Sequence, residues 1–117
     1  MHRRELLQNL CSEILIGLAA PKPTSASQPP VKAVGLTALH VSGQVHYDKL
    51  ESFVPAAAPR AVNVLREGDI LLAVRGSLPK AALVQDLPSA EIYATANLGI
   101  LRAGPGLDPY YLWAALA

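Results

Sequence analysis

Between Arg3 and Leu18 the apolar residues fall at Leu6, Leu7, Leu10, Cys11, Ile14, Leu15 and Leu18. Intervals of three and four draw one stripe along a helix, so the pattern predicts an amphipathic N-terminal helix over residues 1–20. Pro21 and Pro23 end it. Residues 21–30 hold four prolines among Thr24, Ser25, Ser27 and Gln28, carry no period, and read as an extended surface loop. The pattern then shortens. Val31–Val41 predicts a strand, Gly43-Gln44 a turn and Val45–Tyr47 a short strand, with one helical turn in Asp48–Phe53 and a loop over Pro55–Pro59. Ala61–Leu65 and Asp69–Val74 are aliphatic runs joined by Arg66-Glu67-Gly68, which predicts an antiparallel hairpin. Ala81–Val84 predicts a further strand. From Glu91 to Arg102, Ile92, Ala94, Ala96, Leu98 and Ile100 alternate with Tyr93, Thr95, Asn97 and Gly99, the signature of one half-buried strand. Asp108 before Pro109 supplies a cap and a first-turn proline for a C-terminal helix over Tyr110–Ala117.

These elements define an α+β class: a single β-rich body over residues 31–117 that ends in a helix and is preceded by the N-terminal helix and the proline-rich loop. The length, 117 residues, fits one such domain and excludes a two-domain enzyme. With 51% hydrophobic and 16% charged residues and a mean hydropathy of +0.28, the chain is too apolar to be disordered throughout. Ten Lys and Arg against nine Asp and Glu give a net charge of +1, which excludes binding to nucleic acid or a membrane surface by bulk charge alone. Cys11, the single cysteine, forms neither an intramolecular disulfide nor a cysteine zinc site. Gln8, Asn9, Ser12 and Glu13 interrupt the N-terminal apolar run, and Ile14–Ala20 falls far short of the roughly 20 residues of a spanning helix. A cytoplasmic protein without a membrane segment is the expectation.

Four segments share an order and spacing that point to a family. Leu65-Arg66-Glu67-Gly68-Asp69-Ile70-Leu71-Leu72-Ala73-Val74-Arg75-Gly76-Ser77 is followed by Lys80–Val84, then by Ala94-Thr95-Ala96-Asn97-Leu98-Gly99-Ile100-Leu101-Arg102, then by Leu107-Asp108-Pro109-Tyr110-Tyr111-Leu112. Together they resemble the target-recognition domain of type I restriction-modification specificity subunits, strongly from Leu65 to Leu112 and weakly from Leu10 onward. The resemblance implies a non-catalytic module that binds duplex DNA and directs a DNA methyltransferase, with restriction subunits, to its site. Specificity subunits of that family carry two recognition domains and long coiled-coil spacers. Here there is one domain and no heptad run, as in a solitary or half-subunit form, for which a homodimer would mimic the two-domain arrangement.

Base reading needs Arg or Lys for guanine and Asn or Gln for adenine, with hydroxyls and amides on phosphates. Arg75, Gly76, Ser77 and Lys80 form a turn in which two cations flank a glycine, and they are the first candidates. Thr95, Asn97 and Arg102 follow on the polar face of their strand, and Lys22 in the proline-rich loop is a phosphate candidate. Each has a plainer reading: Arg75 paired with Asp69 or Glu67, Lys80 merely solvated, Asn97 a turn amide, Lys22 part of a linker. His40, His46 and Tyr47 rank below these, and Gly68-Asp69 reads as turn geometry. Ser77-Leu78-Pro79-Lys80 matches S-x-x-K, but its proline breaks the helix such a site requires. Without phosphate-loop, dinucleotide or metal-ligand spacing, no cofactor or metal is implied. The rival to DNA reading is an assembly domain of the same fold anchored by Tyr110, Tyr111 and Trp113, three of the chain's six aromatic residues.

Overall fold

Ile70–Ala73 organises the structure because it is paired on both sides. The computed structural model describes residues 11–19, 28–39, 43–73, 81–104 and 106–116. Its strands are β1 (Cys11–Ile16), β2 (Val31–Val34), β3 (Glu51–Phe53), β4 (Ile70–Ala73), β5 (Ala81–Leu83), β6 (Ile92–Ala94) and β7 (Leu98–Ala103), followed by helix α1 (Pro109–Leu116). One sheet runs β1-β7-β4-β5 and a smaller one runs β3-β2-β6. All pairs of the first are antiparallel, whereas β2 is antiparallel to β3 and parallel to β6. The architecture is thus α+β, with two sheets and a C-terminal helix.

The register sorts side chains into cross-strand rows. Leu15, Ile100, Leu71 and Ala82 form a row that faces the smaller sheet. There they join Val34, Ile92 and Ala94 in the main core. The next row, Ile14, Leu101, Ile70 and Leu83, points to the opposite face, where the last three pack on Leu112 of α1. Asp108 caps α1 as its sequence position suggested, its Oδ1 accepting the Tyr110 N–H at 2.9 Å.

Five expectations are corrected. Val45 makes only an isolated bridge to Leu39, Tyr47–Lys49 is a 3-10 turn, and Glu51–Phe53, expected within a helical turn, is strand β3. Cys11–Ile16 is a strand rather than the second half of an N-terminal helix, and residues 1–10 lie outside the described residues. Ile14 and Ile16 are β-branched, and pairing with β7 sets Glu13 beside Arg102 and Leu15 against the core. Ala61–Leu65 makes no hairpin with β4. Ala61–Asn63 is a 3-10 turn in which the Arg60 N–H donates to Asn63 Oδ1 at 3.0 Å, and the Val62 and Val64 carbonyls accept from Arg102 instead of from a strand. Glu91–Arg102 is two strands in different sheets, because the chain turns where the Leu98 N–H donates to the Thr95 carbonyl at 3.0 Å. Val31–Val41 ends as a strand at Val34 and continues as a 3-10 turn, Leu36–Ala38. Of the expected loop over residues 21–30, only 28–30 are described.

Candidate nucleic-acid interface

The strand ends that carry the candidate DNA contacts collect at one end of the four-stranded sheet. β4 ends at Ala73, opposite Leu98 at the start of β7, while Leu72 pairs with Ala81 at the start of β5. Segment 74–80, with Arg75, Gly76, Ser77 and Lys80, is covalently tied between Ala73 and Ala81 and lies outside the described residues. β1 finishes at the same end, where Ile16 pairs with Gly99 and the Gly17 N–H donates to the Leu98 carbonyl at 3.0 Å. Beyond Gly17 the chain crosses to the other sheet, with Leu18 bridging Thr95 and the Ala19 carbonyl accepting the Ala56 N–H at 2.9 Å; segment 20–27, with Lys22, follows and lies outside the described residues. Asn97 is exposed at the tip of the β6–β7 turn, directly beside these strand ends.

Charge is divided along the same line. Segments 20–27 and 74–80 contain Lys22, Arg75 and Lys80 and no acidic residue, whereas eight of the chain's nine carboxylates fall among the described residues. Three of the chain's ten Lys and Arg residues thus fall on two segments that hold no carboxylate.

Two candidates are not surface groups. Arg102 is 5% exposed and sits toward the far end of β7, about 14 Å along the strand from Leu98 at ~3.4 Å per residue. Glu13, Arg102 and Asp69 form one cross-strand row. Arg102 Nε donates to Asp69 Oδ1 at 3.0 Å and Nη2 to Asp69 Oδ2 at 3.3 Å. Nη1 donates to the Val62 carbonyl at 2.8 Å and to Glu13 Oε1 at 3.4 Å, and Nη2 also reaches the Val64 carbonyl at 2.8 Å. All five guanidinium N–H groups are thus engaged inside the protein, so the assignment of Arg102 as a base contact is replaced by a structural role. Thr95 is 4% exposed. Its N–H donates to the Val34 carbonyl and its carbonyl accepts from Leu98, which makes it the junction between the two sheets rather than a groove contact. Gly17 packs so closely on the Thr95 carbonyl that a Cβ would overlap it.

Asp69 is the functional-looking carboxylate that pattern reading left as turn geometry. It does close the turn, with Oδ2 accepting the Arg66 N–H at 2.9 Å and Gly68 at φ +86°. Its larger role is to meet Arg102. Burial pushes its carboxyl above the ordinary value, against the opposing pull of hydrogen bonds from Arg102 and the Arg66 amide. The spacing of 33 residues between Asp69 and Arg102 carries no local signal. Only their alternating strand positions place them on one face.

The aromatic anchor separates into parts. Trp113 Nε1 donates to the Ala81 carbonyl at 2.9 Å, and its ring lies over Gly43 and beside Tyr110, with centroids 5.4 Å apart. Tyr110 and Tyr111 are exposed at 55% and 71%. Elsewhere, a shallow groove of 480 Å³ is lined by residues that include Lys32, Tyr47, Asp48 and Glu51, a mixture without the single sign that a phosphate backbone selects. Among the described residues no cluster of His, Cys, Asp or Glu is placed to hold a metal ion, and no helix is long and apolar enough to cross a membrane. Comparison with protein-family models and with curated proteins gives no match.

Proposed function

We propose that this chain is a target-recognition module of a restriction-modification system: a non-catalytic domain that reads duplex DNA and delivers a methyltransferase subunit, with its restriction partners, to the site. The observation that supports the reading is that Ala73 and Ala81, the residues that bound segment 74–80, lie at the same sheet end as the turn that exposes Asn97. Segment 74–80, with Arg75 and Lys80, and the Asn97 turn come from separate parts of the chain and are bounded by adjoining strand ends, and Lys22 is a further phosphate candidate. Arg75 and Lys80 take the phosphate and guanine contacts, Gly76 and Ser77 allow close backbone approach, and Asn97 takes an adenine edge. Thr95 and Arg102 hold the platform.

Fluorescence anisotropy against a random duplex pool across a salt series tests this. Three phosphate-neutralising cations give a log–log salt slope of about −3. Arg75→Ala and Lys80→Ala flatten it by about one each while leaving thermal stability within ~0.5 kcal/mol. A flat response at low salt overturns the reading and favours the assembly domain, for which the exposed Tyr110 and Tyr111 are the specific observation.

A further inference from the structure

Segment 74–80 leaves the four-stranded sheet after Ala73 and returns to it at Ala81, and the two ends are held by different means. In an antiparallel ladder, residues whose N–H and C=O face a neighbour alternate with residues whose groups face away. On the outgoing side Leu72 lies inside the sheet, hydrogen-bonded to its partner Gly99 of β7. On the returning side the Val84 N–H donates to the Asp69 carbonyl at 2.8 Å, so Val84 and Ala82 address β4, while Ala81 and Leu83 turn their backbone groups outward. Ala81 and Leu72 are therefore a non-hydrogen-bonded pair. The hydrogen bond that Ala81 does make comes from a side chain, Trp113 Nε1 donating to its carbonyl at 2.9 Å. Trp113 is set for this by its neighbours. Leu112 packs on Ile70, Leu83 and Leu101 and docks α1 on the sheet, and Trp113, one residue on, reaches the outer edge of β5. Its ring fills the corner beside Gly43, where a Cβ would overlap it. Gly43 holds φ +85° there, and its carbonyl accepts the Leu83 N–H at 2.9 Å.

We propose that Trp113 is a positioning residue for DNA contact by segment 74–80: its indole fixes the point at which that segment re-enters the sheet. The inference rests on the DNA reading and deepens it. Lys80 is bonded directly to Ala81, so a shift of Ala81 displaces the Lys80 backbone with it. A recognition contact must be held within about 0.5 Å of its productive geometry, and a small drift at the return end loses the contact without removing a charge. Among the described residues the first ladder bond between β5 and β4 is at Ala82. Without the indole donor, β5 therefore opens from the end that bounds the segment, while Leu83, tied to Gly43, and Val84, tied to Asp69, keep the other end in place. The division of labour on α1 follows from chemistry. Leu112 supplies the apolar contact that docks the helix, and Trp113 supplies the one donor that places a strand end.

Trp113→Phe keeps an aromatic ring beside Gly43 and removes the donor. Ile100→Val, in the core on the other side of the sheet from α1, lowers stability by a comparable amount and serves as the control. In hydrogen exchange of the full chain followed by nuclear magnetic resonance, the Ala82 amide is expected to exchange about fivefold faster in Trp113→Phe, the effect of one lost hydrogen bond, and at the parent's rate in Ile100→Val. In fluorescence anisotropy with the random duplex pool, Trp113→Phe is expected to bind about fivefold more weakly with the salt slope unchanged, because no cation is lost. Ile100→Val is expected to bind as the parent does. An Ala82 amide that keeps the parent's rate in Trp113→Phe overturns the proposal. So does an equal rise in both variants, which marks a contribution to global stability alone, and so does a Trp113→Phe chain with the parent's affinity. A parent chain that binds no duplex at low salt is a different failure: it overturns the DNA reading, and the positioning role with it.

Discussion

Replacing Arg102 by methionine keeps most of the side chain's apolar stem and removes its five donors. The Asp69 carboxylate then loses two hydrogen bonds and its counter-charge, and the Val62 and Val64 carbonyls lose the donors that hold the 61–65 segment against β7. Glu13 is about one-third exposed and turns to water at little cost. Breaking a buried ion pair from one side costs about 3–5 kcal/mol. For a chain of this length about 4 °C of Tm accompanies each kcal/mol, which gives a loss of about 12–20 °C in thermal denaturation followed by circular dichroism. Replacing both partners, Arg102→Met with Asp69→Leu, removes the stranded charge and should recover most of that loss. The pH dependence has a definite sign. Asp69 already has its carboxyl raised by burial, and without Arg102 the opposing pull is gone. Its folded-state pKa therefore climbs further above the unfolded value, and the native variant takes up a proton that the unfolded chain does not. Stability of Arg102→Met relative to the parent thus rises as pH falls from 7 through the raised pKa, and the deficit narrows toward pH 5. A variant that melts within about 4 °C of the parent but has lost DNA affinity would refute the structural role and restore Arg102 as a base contact.

Other substitutions probe the remaining joints. Gly17→Ala drives a methyl group into the Thr95 carbonyl at the crossing between the sheets. The backbone must shift, and a Tm drop of more than about 10 °C is expected. Trp113→Phe removes the hydrogen bond to the Ala81 carbonyl and should cost about 1 kcal/mol in urea denaturation. Its sedimenting mass should match the parent's, since Trp113 closes the β5 edge within its own chain. Asp108→Ala loses the α1 cap at about 1 kcal/mol by the same measurement. Asn97→Ala, on an exposed turn, should leave stability within ~0.5 kcal/mol while weakening binding to adenine-containing sites in the anisotropy assay.

What the sequence disclosed follows the range over which its signals act. Asp108-Pro109 fixes a helix start because cap and first turn are neighbours, and α1 begins there. Arg66–Asp69 closes its turn for the same reason. The errors arise where a local pattern has two solutions and distant residues choose between them. Cys11, Ile14, Leu15 and Leu18 satisfy a helical stripe, but Glu13 and Leu15 alone satisfy a strand facing Arg102 and the core, and β7 is 80 residues and more away in sequence. The alternation from Glu91 to Arg102 does not reveal that its two halves serve different sheets, because both halves are buried on both faces. Among the candidate contacts, hydrogen-bonding capacity was legible and placement was not. Thr95, Asn97 and Arg102 look equivalent along an alternating strand, and the turn after Thr95 exposes Asn97 while the Glu13–Arg102–Asp69 row encloses the guanidinium. That sorting bears directly on function. A platform that binds Arg102 from three sides holds β1, β4 and β7 together at one end, and so fixes the strand ends at the other, where Ala73 and Ala81 bound segment 74–80. In this arrangement the buried cation supplies the frame, and in the proposed DNA reading contact with phosphate falls to cations outside it.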